Sequence, residues 1–300
     1  YAVDTAKACR ERGIKNVAVT AGYICPDPRE EFYKWMDAAN VDLKAFTEKF
    51  YKELCTSQLS KVLDTLKYLK HETDVWFEIT DLIIPGENDS EREIDEMTSW
   101  VVKHLGDDVP MHFTAFHPDW KMMDKPRTPK STLVRAREIA QANGVRYAYT
   151  GNVHDFDGAS TYCHSCGHRL IGRDWYELSD WNITFEGNYS GNCNNCGEPA
   201  AGAFDETPGD WGRKRQPVRL GRKIPPAKPA NPSFKSLEKQ SAGPLHAESA
   251  AAPFAPKPVR LAPLLVGLSV AAASWPSPPR NVTFAQASRP RRTRYDSLSS

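Results

Sequence analysis

The sequence predicts an α/β fold: a partial (βα) barrel over residues 1–155, a small zinc-ribbon-like four-cysteine domain over 160–205, and a disordered tail over 220–300. Three observations predict it. Short β-rich runs alternate with amphipathic helical runs, the signature of βα units around a parallel sheet. Two C-x-x-C pairs, Cys163/Cys166 and Cys193/Cys196, follow these units with 26 residues between them. From Leu220 onward Pro, Ala, Ser, Lys and Arg dominate and the apolar residues lose any period.

The elements read as follows. Asp4 to Arg12 is helical, and Val17 to Thr20 is the first apolar run. Asp27-Pro28 supplies a cap and a helix-starting proline, with Phe32, Trp35, Met36 and Ala39 at helical spacing. Val41-Asp42-Leu43 is the second strand. Ser57 caps a helix whose Leu59, Val62, Leu63, Leu66 and Leu69 make one apolar stripe. Val75 to Ile84 is a β-branched and aromatic strand stopped by Pro85-Gly86. Ser90 to Glu93 reads as a capping box before Ile94, Met97, Val101 and Leu105. Met111 to Phe116 is the fourth strand. Ser131 opens a helix closed by Gly144, and Val145 to Tyr149 is the last strand. The first helix has no earlier strand to follow, and these strands cannot close an eight-stranded barrel, so the chain reads as a fragment lacking the first strands.

The 300 residues carry a formal charge of +1, which argues against a chain driven onto nucleic acid or membrane. That figure averages two unlike parts. In residues 221–300 Lys and Arg outnumber Asp and Glu twelve to three, and thirteen of the 23 prolines lie there. The body is therefore acidic and the tail basic. The longest apolar stretch, Leu261 to Ala273, contains Pro263 and spans about 13 residues where a membrane helix needs roughly 20. No membrane segment is expected. No signal peptide is visible, and the cysteine pattern suits a reducing, cytoplasmic compartment.

The four cysteines form two knuckles of zinc-ribbon type, Cys163-His164-Ser165-Cys166-Gly167 and Cys193-Asn194-Asn195-Cys196-Gly197. Each spacing lets one tight turn aim two thiolates at one ion, and the glycine lets the backbone fold back toward the sulfurs. A domain of this size cannot bury enough core to fold alone, so the metal decides whether it exists. Zinc is the expected occupant; an iron or iron-sulfur centre is the alternative for a four-thiolate cage.

Chemistry in α/β barrels sits where strands end. Those ends carry Thr20-Ala21-Gly22, Asp42-Leu43-Lys44, Thr80-Asp81, His117 and Thr150-Gly151-Asn152. Asp42 and Lys44 lie two apart, so both point to one face and suit an acid–base pair or the opposite charges of one ligand. Cys9, Cys25 and Cys55 have no motif spacing and read as buried small hydrophobes.

The runs V-x-V-T-x-G-Y-I, A-x-x-V-D-L-K-A-F, E-I-T-D-L-I-I-P-G-E-N-D-S, H-F-T-A-F-H-P, Y-T-G-N-V and T-Y-C-x-x-C-G occur in that order across residues 1–205. This order resembles the radical SAM enzyme of the AmmeMemoRadiSam system, a group similar to the pyruvate formate-lyase activating enzymes. The resemblance implies a barrel that holds a 4Fe-4S cluster and S-adenosylmethionine (SAM), and reductive cleavage of SAM to a 5′-deoxyadenosyl radical that abstracts hydrogen from a substrate. It implies that Asp42 and Lys44 contact the methionine and ribose part of the cofactor and that His117 lies near it. It further implies a protein or peptide substrate and a Memo-like protein partner. Family members ligate the cluster through C-x-x-x-C-x-x-C after the first barrel strand, and no such spacing occurs in these 300 residues, so the chain alone is expected to be inactive. Ala21 also replaces an Asn frequent in the family's T-N-G.

The competing reading is a nucleic-acid-binding zinc ribbon with a basic arm, Arg289-Pro290-Arg291-Arg292-Thr293-Arg294. The ribbon's own charge opposes it, since Asp174, Glu177, Asp180, Glu186 and Glu198 outnumber Arg169 and Arg173.

Overall fold

The computed structural model describes residues 1–208, and these fall within one compact unit. The expected tail and the basic arm lie outside the described residues.

Helix α1 (Ala2–Arg10) precedes five strands: β1 (Val17–Thr20), β2 (Ala38–Asp42), β3 (Trp76–Ile83), β4 (Met111–Ala115) and β5 (Ala148–Gly151). They form one sheet in the order β1-β2-β3-β4-β5 with every neighbouring pair parallel. Each strand thus pairs with the next in sequence. Right-handed crossovers that always advance the same way leave every connecting helix on one face, which is the winding of a barrel wall and not of a doubly wound sheet. The connecting helices are α2 (Pro26–Tyr33), α3 (Glu48–Glu53), α4 (Leu59–Glu72), α5 (Glu91–Leu105) and α6 (Lys130–Ala142).

The helices cover Phe77, Ile79 and Ile83 of β3 and Met111 and Phe113 of β4, which pack with Val62, Leu66, Ile94, Met97, Val101 and Leu133 in the main core. Fully burying each such side chain stabilises the fold by about 1.5–3 kcal/mol. Alternate residues point to the opposite face, where Asn40, Asp42, Glu78, Thr80, His112 and Thr114 sit in phase with the apolar Ala38, Trp76 and Leu82. No helix among the described residues is long and apolar enough to cross a membrane.

Several boundaries differ from the sequence expectation. The helix expected to run past Trp35 ends at Tyr33, and Ala39 belongs to β2. The Asn16 carbonyl takes the N–H groups of Asp37 and Ala38, while the Asp37 carboxylate takes that of Asn16, drawing the chain into the sheet early. The cap of α2 is Cys25, not Asp27, and Pro26 and Pro28 both sit in the first turn, where missing N–H groups cost nothing. Helix α3 was not expected; the Thr47 hydroxyl caps it by accepting from the Phe50 N–H. Ser57 does not cap α4. The Glu48 carboxylate does so instead, accepting from the N–H groups of Leu59 and Ser60 at 3.2 Å each. Ser90 caps α5 as expected, but Glu93 does not close the box and accepts from the Phe46 N–H at 2.7 Å. Strand β5 begins at Ala148, three residues later than Val145.

After α7 (Phe156–Ala159) come six short strands: β6 (Thr161–Tyr162), β7 (Arg169–Asp174), β8 (Glu177–Trp181), β9 (Ile183–Gly187), β10 (Ser190–Cys193) and β11 (Pro199–Ala200). They form two three-stranded antiparallel sheets, β6-β7-β8 and β11-β10-β9. Their own core is Cys163, Leu170, Ile171, Ile183, Cys193 and Phe204. So small a cluster offsets little of the chain entropy of ordering these residues.

Candidate functional site

The two C-x-x-C knuckles occupy the β6–β7 and β10–β11 turns and repeat one hydrogen-bond scheme. The Gly167 N–H donates to the Cys163 carbonyl at 2.9 Å and the Gly197 N–H to the Cys193 carbonyl at 2.8 Å. Both glycines have φ in the left-handed region, 70° and 78°, which a Cβ would strain. The N–H groups of His168 and Glu198 donate to the sulfurs of Cys166 and Cys196. The amides that reach the sulfurs are thus those of the residues after the glycines, where the backbone has folded back.

The four sulfurs lie within 4.8 Å of one another, with Cys163 to Cys196 at 3.6 Å and Cys166 to Cys193 at 3.7 Å. A tetrahedral ion with bonds of about 2.3 Å sets its sulfurs about 3.8 Å apart, so the cage fits such an ion. Charge points the same way. The His168 N–H, and then the Asn195 side-chain amide, hold the Cys166 thiol below its ordinary range. Although the Glu198 N–H draws Cys196 down, crowding by the other sulfurs pushes it up to about 12. One thiolate is supported and further ones repel, so four together need a cation. Four protein ligands leave no open position on a tetrahedral ion, the arrangement of structural sites.

The second constellation lies on the helix-free face of the large sheet. Strand register places Asp42, Thr80, His112 and Tyr149 opposite one another on β2, β3, β4 and β5. These four residues form one rank. At three strand spacings its ends are about 14 Å apart. At one end Lys44 donates to Asp42 Oδ2 at 2.7 Å, and their side chains are 36% and 25% exposed, within reach of a ligand. At the other end His112 Nε2 meets Glu78 Oε2 at 2.6 Å. The His112 ring stacks on that of Tyr149 with centroids 4.9 Å apart, and the Tyr149 hydroxyl pairs with Thr161 Oγ1 of the ribbon at 3.1 Å.

Behind the Asp42–Lys44 pair the backbone is pinned from the helical side. Asn88, fully buried, donates to the Lys44 carbonyl at 2.7 Å, to Asp81 Oδ1 at 3.2 Å and to the Leu82 carbonyl at 3.0 Å, and accepts from the Ile84 N–H at 2.7 Å. The Lys44 N–H donates to the buried Tyr51 hydroxyl at 3.1 Å. Burial, and then the Glu93 carboxylate, hold the Asp81 carboxyl well above the usual range.

His117, beyond the end of β4, is exposed. It stands two strands from Asp42, and no hydrogen bond or ion pair joins it to Asp42 or Lys44 among the described residues. Cys9 and Cys55 are partly buried and Cys25 is exposed, so the expectation of three buried cysteines is corrected. Among the described residues the ribbon cage is the one cysteine cluster, and Cys9, Cys25 and Cys55 make no site for an iron-sulfur cluster. Sequence reasoning missed Glu78, His112, Tyr149, Asn88 and Arg173. Alternation along β3, β4 and β5 would have placed the first three on one face; nothing local marks the other two.

No protein-family model matches the chain. Over 198 residues, 66% of its length, it is 38% identical to an uncharacterised protein of Methanocaldococcus jannaschii, and it spans 57% of that relative. Among solved structures it is similar to a domain of pyruvate-formate lyase-activating enzyme from Bacteroides vulgatus, at 17% identity and a TM-score of 0.44, covering 50% of this chain and 89% of that domain.

Proposed function

We propose that this chain carries the cofactor-facing wall of a radical SAM enzyme of the AmmeMemoRadiSam type, with the ribbon as a structural zinc domain. The observation that carries the reading is the Asp42–Lys44 pair, which stands partly exposed at the C-terminal end of a barrel-type strand on the helix-free face. The ordered motifs around it support the same reading.

These residues suit SAM. The Asp42 carboxylate would accept from ribose hydroxyls, and the Lys44 ammonium would pair with the methionine carboxylate. Asn88 and Tyr51 fix the backbone that carries Lys44. Bound SAM supplies the family's hydrogen-abstraction chemistry. Apart from the ribbon cage, no group of cysteines comes together among the described residues. A protein or peptide substrate and a Memo-like partner belong to this reading.

The test is SAM binding by the full chain in equilibrium dialysis. Lys44→Ala should weaken uptake about tenfold, the worth of a hydrogen bond to a charged group, with zinc content unchanged. A chain that takes up no SAM at millimolar concentration, or whose uptake ignores the substitution, overturns the reading.

A further inference from the structure

Two adjoining cavities lie between the helix-free face of the sheet and the ribbon, about 50 and 40 Å³ in volume, and share His112, Tyr149 and Arg173 in their walls. By that measure a water needs roughly 10–15 Å³, so each cavity accommodates about three solvent-sized atoms. Arg173 projects from β7, and Trp175 follows it in the β7–β8 hairpin and lines the second cavity. Arg173 Nε and Trp175 Nε1 are both buried without a hydrogen-bond partner among the described residues.

Both orphans are donors and neither can accept. Leaving two buried donors unmatched is costly, so what fills the space must bring acceptors. Glu78, whose Oε2 meets His112 and whose Oε1 accepts from Trp76 Nε1 at 3.2 Å, makes no hydrogen bond to either donor among the described residues. The backbone adds a second sign. Trp175 has φ of 54°, a left-handed conformation that a bulky side chain adopts only at a cost.

We propose that this junction is a binding subsite for a carboxylate, held side-on by Arg173 and by the Trp175 indole N–H. An anion suits a guanidinium better than a neutral acceptor does. The Glu78 carboxylate, in the wall of the adjoining first cavity and not of the second that Trp175 lines, favours a monoanion over a phosphate dianion. The subsite lies at the Tyr149 end of the rank that begins at Asp42. A substrate held there by its carboxylate would extend across the sheet toward the face where we place SAM. Only that direction rests on the proposed function. The ribbon therefore contributes a ligand-contacting arginine as well as a structural metal.

The test is titration of the zinc-loaded full chain with acetate, acetamide and inorganic phosphate, followed by calorimetry and by the Trp175 indole N–H resonance. Acetate should saturate in the millimolar range and move that resonance downfield, with acetamide and phosphate binding more weakly. Arg173→Gln should weaken acetate about tenfold or more at unchanged zinc content. Trp175→Phe, which keeps the ring and loses the N–H, should weaken it several-fold and serves if the first variant misfolds. Absence of saturable acetate binding overturns the proposal, as does acetamide or phosphate binding equal to acetate, or indifference to both substitutions. Lys44→Ala should leave acetate binding unchanged, so a chain that binds acetate and not SAM fails the proposed function alone.

Discussion

The side-chain amide of Asn88 donates to the Lys44 carbonyl at 2.7 Å across a gap of 44 residues. The loop after β3 thereby fixes the end of β2. Asn88 makes four hydrogen bonds in a fully buried position, so it should behave as a structural keystone of the Lys44 segment. Asn88→Ala should lower unfolding free energy by about 3 kcal/mol, from lost bonds and from carbonyls left buried and unpaired. Urea midpoints read this directly; a loss near zero would mean that water replaces the amide.

Asp81 gives a pH signature. Its folded-state pKa is raised, by burial first and Glu93 second, so the folded chain binds more protons than the unfolded chain between about pH 4 and the raised value. Stability contributed by this group is therefore full below the ordinary carboxyl range and is lost as pH rises through the window. Asp81→Asn removes the ionisable group while keeping the shape and an oxygen for Asn88. The variant should gain on the wild type as pH rises and converge with it in acid. Denaturant midpoints across a pH series check both the sign and the convergence.

How much of this was legible in the sequence depends on how locally each feature is encoded. The five strands were, because runs such as Val75 to Ile84 are both β-branched and bounded by turn residues. So were the cap at Ser90 and the cage of four cysteines, whose spacing is itself the geometry. The Asp42–Lys44 pairing followed from alternation. Glu93 was misread because the local box offered one partner and the tertiary fold a better one in the Phe46 N–H. Glu48 and Asn88 escaped for the same reason, each binding backbone far along the chain. Arg173 looked like a surface charge on a ribbon. Only the packing of β7 against the sheet makes it an inward donor.

The metal centre should govern the ribbon and leave the sheet standing. Apparent binding energies of structural zinc run to roughly 10–16 kcal/mol, and the ribbon's six-residue core has little to set against its loss. Cys193→Ala should remove the single metal ion expected per four-thiolate site. It should also expose Trp181 and Phe204, whose rings sit 6.4 Å apart. Helices α1 to α6 precede the ribbon and pack on the large sheet, so the helical far-ultraviolet signal should persist. Metal analysis, tryptophan emission and circular dichroism separate these effects; joint loss of helix and ribbon signals would make them one cooperative unit.

The Asp42–Lys44 pair should contribute little to stability despite its 2.7 Å contact. Both side chains are a quarter or more exposed, and pairs in such surroundings are typically worth 1 kcal/mol or less, about 0.2–1. Asp42→Asn, Lys44→Ala and the double variant should each unfold within about 1 kcal/mol of the wild type, with a coupling energy inside the same bound. The contrast with Asn88→Ala is the point of the measurement, since both touch the same segment. A residue kept for folding should register in urea, whereas a charge pair kept for a ligand should register only when the ligand is present. If the double-mutant cycle returns several kcal/mol instead, the pair is a structural strut, and its exposure on the helix-free face does not mark a binding site.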